Sequence, residues 1–252
     1  MGLIPRHRLY VTAALHVGAQ VALSPEQSHR LLHVLRAERG DAVGLFNGSD
    51  GEWRAKLDHV GKRDAILAVR EQVRPQRDEA DLWLVFAPVK RGPMDLIVEK
   101  ATELGASALV PVWTQHTDTQ RLNGERLTAI AIEAAEQCRR LTVPVVHEPK
   151  ALGDVVGDWP KDRRLIVLDE SGRGKPIAQA VAQIGMAPAA LLVGPEGGFA
   201  ESELDALRAL AFAVAADLGP RILRAETAVI AALACYQALR DSASAQSSPT
   251  SL

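Results

Sequence analysis

The spacing of hydrophobic positions changes near residue 76, and the change predicts two different architectures. Before it, short runs of alternating apolar and polar residues are separated by turn sequences such as Asn47-Gly48, which is typical of β-strands. The predicted strands are residues 8–11, 19–23, 41–46, 52–60 and 65–71. One helix should interrupt them from Ser24, a good N-cap followed by Pro25, to about Arg36. This pattern predicts a small β-barrel.

The second part of the chain alternates apolar strands with longer helical patterns. Strands are predicted at residues 82–88, 108–113, 143–147, 165–169, 189–193 and 211–218, and helices at 93–104, 124–140, 176–184, 201–210 and 226–240. The alternation predicts an α/β fold in which helices cover both faces of a mostly parallel sheet. We therefore expect domains at residues 1–75 and 76–241, followed by a disordered tail of small polar residues at 242–252.

Charge is unevenly distributed along the 252 residues, whose formal net charge is −2. Residues 1–75 contain eleven Lys and Arg against eight Asp and Glu, and five of the seven histidines. A surface that binds phosphate groups is therefore expected in the first third of the chain.

Membrane and metal sites are not indicated by the sequence. No apolar run approaches the roughly 20 residues needed to span a bilayer, and residues 1–10 lack the apolar segment of a signal peptide, so a cytoplasmic protein is expected. His29 and His33 have the spacing of zinc ligands on a helix, but no third ligand is evident, so no metal site is expected.

Two loops with Gly-Pro at a strand end are the strongest candidates for a binding site. They are GPEGGF at residues 194–199 and GPRILRAET at residues 219–227. Ligands of open parallel sheets collect at the carboxyl ends of strands, and glycines there let a ligand approach the main chain. Neither loop has the pattern of a phosphate-binding P-loop or of a dinucleotide fingerprint. From the residues alone, a ligand site and ordinary strand-to-helix turns both remain open.

The two loops, read as VGPEGGF and LGPRILRAET, resemble the C-terminal signature loops of the SPOUT methyltransferases. Within that superfamily the chain is most similar to the RsmE family, which methylates N3 of a uridine in 16S ribosomal RNA. The similarity extends over nearly the whole chain. It includes Val34-Leu35-Arg36, Gly40-Asp41, Phe46-Asn47-Gly48, Lys90, Met94, KATELG at 100–105, EAAEQC at 133–138 and Val143-Pro144.

The resemblance implies a PUA-like barrel followed by a trefoil-knotted α/β domain, which acts as a homodimer. It implies S-adenosylmethionine as methyl donor, S-adenosylhomocysteine as product, and 16S rRNA within the 30S subunit as substrate. The donor is expected at Leu192, Val193, Gly194, Pro195, Glu196, Gly197, Gly198, Leu218, Gly219, Pro220, Leu223, Arg224, Thr227 and Ala228. Three positions depart from the family pattern: Asn47, where Asp is usual, Arg30, where a second His is common, and His116-Thr117, where Arg-Ser or Arg-Thr is usual. The last change could weaken one cationic contact.

Methylation at uridine N3 requires that its proton leave, so the site needs a base or a cation that stabilises the developing anion. Arg224 is the first candidate for the cation and Arg221 the second, since one loop carries both. Glu226 or Glu196 could accept the proton. Alternatively, Glu226 could only favour the positive end of the last helix, and Glu196 could only bind main-chain amides of its own loop.

Basic residues of the first helix and its surroundings are candidates for binding rRNA phosphates. The candidates are His7, Arg8, His29, Arg30, Arg36, Arg54, Lys90 and Lys100, which Lys56, Lys62, Arg63, Arg91 and Arg121 could extend. A merely solvated charged face is the alternative. Two other functions stay open at this point: a nucleotide-dependent oxidoreductase, and an RNA-binding ribosome-assembly protein without catalytic activity.

Overall fold

The computed structural model describes residues 5, 7–61, 64–119 and 121–247, and they divide into two compact units. Unit 1 contains Met1–Glu79 and also Ile132–Val143, and unit 2 contains Ala80–Ala131 and Pro144–Leu252. The division falls inside one helix, Gly124–Cys138. The apolar spacing along that helix is continuous, so nothing in the sequence pattern indicates this assignment. The domain boundary at residues 75 and 76 stays a prediction.

Unit 1 contains a five-stranded sheet with the order β1-β3-β4-β5-β2. β1 and β3 are parallel, and the other neighbours are antiparallel. The alternation of side chains buries one face, with Leu9, Val43, Leu45, Leu57 and Leu67 at its centre. The strands are β1 (His7–Tyr10), β2 (Gln20–Ala22), β3 (Ala42–Phe46), β4 (Glu52–Val60) and β5 (Ala65–Arg74).

The helix of unit 1 begins as the sequence predicts but changes its geometry. Ser24 caps it by accepting from the amide of Gln27, whose side chain accepts in return from the Ser24 amide. Helix α1 (Pro25–His29) then continues as a π-helical turn over Arg30–Val34 and stops before Arg36, which has φ of 55°. The predicted extent is correct, but apolar spacing does not distinguish an α turn from a π turn.

Unit 2 is built on a parallel sheet with the order β11-β13-β10-β12-β6-β7-β8, and β9 pairs with β7. Every recorded pairing in it is parallel. The strands are β6 (Leu82–Phe86), β7 (Ala108–Trp113), β8 (Val145–Val146), β9 (Lys150–Ala151), β10 (Arg164–Leu168), β11 (Lys175–Pro176), β12 (Ala189–Val193) and β13 (Ala213–Asp217). The helices are α2 (Arg91–Glu103), α3 (Gly124–Cys138), α4 (Leu152–Gly157), α5 (Ile177–Ile184), α6 (Glu201–Arg208) and α7 (Ala225–Ser247).

Helices cover both faces of this sheet. On one face, Leu152 of α4 and Leu204 and Leu207 of α6 pack with Ala190 and Leu192 of β12. Helices α2, α5 and α7 pack together, and α7 also contacts β12. Since neighbouring residues of a strand point to opposite faces, the intervening Leu191 is buried on that second side. The predicted α/β class with a mostly parallel sheet is confirmed.

The last helix extends further than predicted. Helix α7 runs to Ser247, so residues 242–247 continue the helix where a disordered tail was expected. The sequence SASAQS contains no glycine or proline that would stop a helix, and the first proline after it is at position 249. The prediction of disorder is therefore wrong for residues 242–247, and residues 248–252 lie outside the described part of the chain.

Candidate active site

A cavity of about 390 Å³ lies at the carboxyl edge of the parallel sheet of unit 2. Three neighbouring strands, β10, β12 and β13, end there, and the loop that follows each of them contributes to the wall. The lining residues are Leu168, Asp169, Glu170, Ser171, Gly172, Val193, Gly194, Pro195, Glu196, Gly198, Ala216, Asp217, Leu218, Gly219, Pro220, Arg221, Ile222, Leu223, Arg224, Ala225 and Ala228. The two Gly-Pro loops therefore form one pocket.

Most residues that the sequence assigned to the donor line this cavity, but three do not. Leu192 is fully buried within β12, Gly197 is exposed beside His116, and Thr227 is exposed in the first turn of α7. The loop at residues 168–172 was not predicted. In the sequence, this loop is an acidic pair followed by Ser-Gly directly after an apolar strand. Since ligands collect at the carboxyl ends of parallel strands, the loop could have been predicted as part of the site.

The loop at residues 194–199 depends on two glycines. A Cβ at Gly194 would lie 3.0 Å from the ring of Phe199, which is buried. Gly198 has φ of +70°, and its amide donates to the carbonyl of Pro195 at 2.9 Å, which closes a tight turn. A Cβ at Gly198 would also lie only 2.2 Å from Oε1 of Glu170. An alanine at position 198 would therefore be strained and would displace Glu170, and an alanine at position 194 would press against the Phe199 ring.

Gly198→Ala should weaken binding of S-adenosylhomocysteine about tenfold, because alanine is strained by roughly 1–2 kcal/mol at this φ and would displace Glu170. Isothermal titration calorimetry measures the change. Gly185→Ala is a matched control, since Gly185 also has positive φ (59°) but nothing within 4 Å of an added Cβ. Equal affinities of both variants would contradict a role of Gly198 in the site.

Asp169 anchors the loop after β10 through a buried ion pair. Its carboxylate is fully buried and accepts from Nη2 and Nε of Arg208 at 2.7 and 3.1 Å, and from the Ser171 amide at 2.9 Å. Burial alone would raise the pKa of Asp169, but hydrogen bonds from Ser171 and Arg208 outweigh it, so the pKa is lowered. The carboxylate is therefore charged at neutral pH.

Asp169→Asn should lower the free energy of unfolding at pH 7 by about 2 kcal/mol, because a charge-assisted pair is lost. Because the pKa of Asp169 is lower in the folded state, its carboxylate stabilises the fold at pH values above the unfolded-state pKa of about 3.9. This contribution fades as pH falls through the folded-state pKa, so the difference between variant and wild type should vanish in acid. Urea unfolding at several pH values measures it, and a difference that persists in acid would contradict the ionic origin.

Arg221 and Arg224 are exposed at the cavity, and the described part of the chain provides no ion pair for either of them. Glu196 also lines the cavity, and its Oε1 lies 3.5 Å from the amide of Lys90, a long contact outside its own loop. Glu226 does not line the cavity and lies in the first turn of α7, where a carboxylate favours the helix dipole. Of these two glutamates, only Glu196 therefore faces the cavity.

Arg8, predicted to bind RNA, is instead a buried structural residue. Its Nε pairs with the fully buried carboxylate of Glu52 at 2.8 Å. Its guanidinium also donates to the carbonyls of Ala135, Glu136 and Arg140 at 3.0, 2.7 and 3.0 Å. Adjacent residues of β1 point to opposite sides, so Leu9 enters the sheet core while Arg8 is buried against residues 135–140 of the same unit. This burial disfavours a contact between Arg8 and RNA.

The other residues predicted to bind RNA differ in whether their side chains are ion-paired, exposed or partly buried. Arg30 pairs with Glu136 at 2.8 Å, Arg54 pairs with Glu71, and Lys100 pairs with Glu99 and Glu103. His29 and His33 are exposed with ring centroids 5.0 Å apart, Arg36 and Lys90 are exposed, and His7 is half-buried. Of the proposed extensions, Lys56, Arg91 and Arg121 are exposed, whereas Lys62 and Arg63 lie outside the described residues.

A second cavity of about 160 Å³ brings three of these candidates together within unit 1. His7, Arg8 and Arg30 line it, and Arg139 adds a further guanidinium. Glu136 in its wall is buried, which raises its pKa, although the Tyr10 amide and Arg30 act in the opposite direction. In the described residues, no cluster of three or more His, Cys, Asp or Glu side chains could hold a metal ion.

Comparisons with known proteins agree with this architecture. A family described as RNA methyltransferase domain matches residues 76–237, and one described as RNA methyltransferase PUA domain matches residues 23–69. The chain is 32% identical over 232 residues to ribosomal RNA small subunit methyltransferase E from Rickettsia conorii, which covers 90% of this chain and 93% of that protein. The chain belongs to the ribosomal RNA small subunit methyltransferase E family.

Other members of the methyltransferase E family show the same likeness. The protein from Synechocystis sp. is 34% identical over 241 residues, covering 94% of this chain and 78% of that protein. The crystal structure of the Neisseria gonorrhoeae protein, bound to S-adenosyl methionine, has a TM-score of 0.82 and 30% identity, and covers 94% and 98% of the two chains. The predicted family is therefore confirmed. Among the helices described for this member, none is long and apolar enough to cross a bilayer.

Proposed function

We propose that this protein transfers a methyl group from S-adenosylmethionine to N3 of a uridine in 16S rRNA of the small ribosomal subunit. The observation that carries the proposal is the one cavity at the carboxyl edge of the sheet that both Gly-Pro loops line, together with residues 168–172. Family membership supports the reaction class, and the donor bound to the Neisseria gonorrhoeae relative supports the donor.

The cavity fits a sulfonium nucleoside in size and chemistry. Its volume of about 390 Å³ lies in the range of roughly 300–1,000 Å³ that small-molecule sites occupy. Leu168, Val193, Leu218 and Leu223 supply apolar wall for an adenine ring, while the glycine turns expose main-chain groups that can recognise its polar edge.

When bound, S-adenosylmethionine supplies an activated methyl group, and the residues of this chain must orient the uridine and manage its proton. Glu196 lines the cavity and would accept the proton from uridine N3. Arg224, and secondarily Arg221, would stabilise negative charge that develops on the uracil oxygens. The products are the N3-methylated uridine and S-adenosylhomocysteine.

The RNA contacts are proposed to centre on the exposed residues of unit 1. Arg36→Asn should weaken rRNA binding, because one guanidinium that can contact a phosphate is removed. The slope of the logarithm of the binding constant against the logarithm of the salt concentration should become shallower by about one. Asparagine tolerates the positive φ of position 36, so the turn should persist. Filter binding at several salt concentrations measures the slope, with exposed Lys161→Ala as control. An unchanged slope would place the RNA surface elsewhere.

The family resemblance also supports three further proposals: a trefoil knot in unit 2, a homodimer, and action in the cytoplasm on the 30S subunit. Analytical ultracentrifugation of the purified protein tests the dimer. Comparing free 16S rRNA with 30S subunits as substrates tests the assembly state.

Mass spectrometry of 16S rRNA from cells that lack the gene tests the reaction itself. The expected result is loss of one methyl group at a uridine and its return after treatment with the purified protein and S-adenosylmethionine. Unchanged rRNA together with retained rRNA binding would instead support the assembly protein without catalysis. Binding of NAD(P) without binding of S-adenosylhomocysteine would support the oxidoreductase.

A further inference from the structure

We propose that Glu170 and His116 are positioning residues that together hold one peptide unit, the one joining Gly198 to Phe199, in its donor-binding orientation. This inference rests on the proposed function, since it concerns the loop that would contact the methyl donor. The two side chains come from different loops of unit 2, after β10 and after β7 respectively.

Glu170 binds the amide end of this peptide unit. Its Oε1 accepts from the Phe199 amide at 2.9 Å. The same oxygen also lies close to Gly198, since an added Cβ would be 2.2 Å away and the Glu170 side chain would have to shift. Glu170 itself lines the cavity, so its carboxylate lies between the loop after β10 and the loop after β12.

His116 binds the carbonyl end of the same peptide unit. Its Nδ1 lies 3.1 Å from the Gly198 carbonyl oxygen, which can only accept, so Nδ1 carries the hydrogen. The His116 Cβ would lie 3.3 Å from a Cβ at Gly197, so the two loops are also in close packing. The preceding Gln115 fixes this approach, because its amide donates to Glu203 Oε1 at 2.9 Å.

Holding both ends of one peptide unit sets the direction of its plane. Gly198 has φ of +70° and lacks a side chain, so few local constraints oppose a rotation of this plane. A rotation of this plane would shift the main chain of Gly198, which lines the cavity. Two hydrogen bonds from separate loops remove this freedom before the donor binds, which lowers the entropic cost of binding.

Calorimetric titration with S-adenosylhomocysteine tests the assignment in the full-length protein. Glu170→Ala and His116→Ala should each weaken binding about five- to tenfold, equivalent to roughly 1 kcal/mol for one hydrogen bond. Glu170→Gln should bind within about twofold of wild type, because its amide oxygen can still accept from Phe199. His116→Asn should recover part of the affinity, because its amide can donate. In turnover assays the KM for the donor should rise while kcat changes less.

The conservative variants and one double variant separate positioning from other roles. If Glu170→Gln binds as weakly as Glu170→Ala, the charge contacts the donor directly and the positioning role is overturned. The double variant Glu170→Ala with His116→Ala should lose less affinity than the product of the two single losses, because both side chains hold one peptide unit. A loss equal to that product would show that the two residues act independently and would overturn the inference. Exposed Glu148→Ala should bind like wild type. Failure of wild type to bind would overturn the proposed function as well, whereas wild-type affinity in all variants would overturn this inference alone.

Discussion

Arg224→Ala is expected to lower kcat about 10²–10³-fold and to change the affinity for S-adenosylhomocysteine by less than about threefold. Removing one preorganised donor that stabilises transition-state charge typically has this effect. Arg224 is exposed at the cavity, and its guanidinium is not occupied by an ion pair among the described residues, so it is available to a uracil oxygen. Single-turnover methylation with saturating donor measures the step.

Two variants serve as controls for Arg224. Arg221→Ala, in the same loop, should have a smaller effect, because Arg221 is the second candidate for the cation. Arg224→Lys should recover part of the rate, since it keeps the charge but not the planar fork. A loss of donor affinity with unchanged kcat would assign Arg224 to donor binding instead.

Arg8→Ala should lower the free energy of unfolding by about 3–5 kcal/mol, the usual cost of removing one partner of a buried ion pair. The variant leaves the carbonyls of Ala135, Glu136 and Arg140, in α3 and just after it, without their donor. The buried Glu52 keeps its ion pair with Arg74. Urea unfolding measures the loss. Arg70→Ala, an exposed arginine in β5, should change stability by no more than about 0.5 kcal/mol.

A second substitution tests how much of the cost comes from the buried charge of Glu52, which keeps only Arg74 as an ionic partner when Arg8 is removed. Glu52→Gln in the Arg8→Ala background should recover part of the stability, because a neutral amide is cheaper to bury than a carboxylate. If Arg8→Ala unfolded like wild type but bound rRNA poorly, Arg8 would belong to the RNA surface after all.

The contrast between the loops and Arg8 shows what the sequence could reveal. The Gly-Pro loops were predictable, because a parallel sheet brings the carboxyl ends of neighbouring strands together whatever the details of packing. Arg8 was not predictable, because a charged residue in a short strand is usually exposed. Its partners Glu52, Ala135 and Arg140 are 44 to 132 residues away, and no local pattern records such contacts.

Contacts between loops were equally hidden. Glu170 and Phe199 are 29 residues apart, and His116 and Gly198 are 82 apart. The sequence marked His116 only as a departure from the family pattern that could weaken a cationic contact, whereas the structure shows its ring bound to the Gly198 carbonyl. Spacing can show which strand ends meet, but it does not show which side chains then hold a turn.

The assignment of residues 132–143 to unit 1 has a consequence for biosynthesis. Phe46 of β3 packs against Ala135 and Leu141, so the core around it lacks partners until that segment has left the ribosome. Although N-terminal domains generally fold first during translation, unit 1 must wait for more than fifty residues that belong to unit 2. Its nascent strands therefore remain incompletely covered over that interval, when exposed apolar surface favours aggregation.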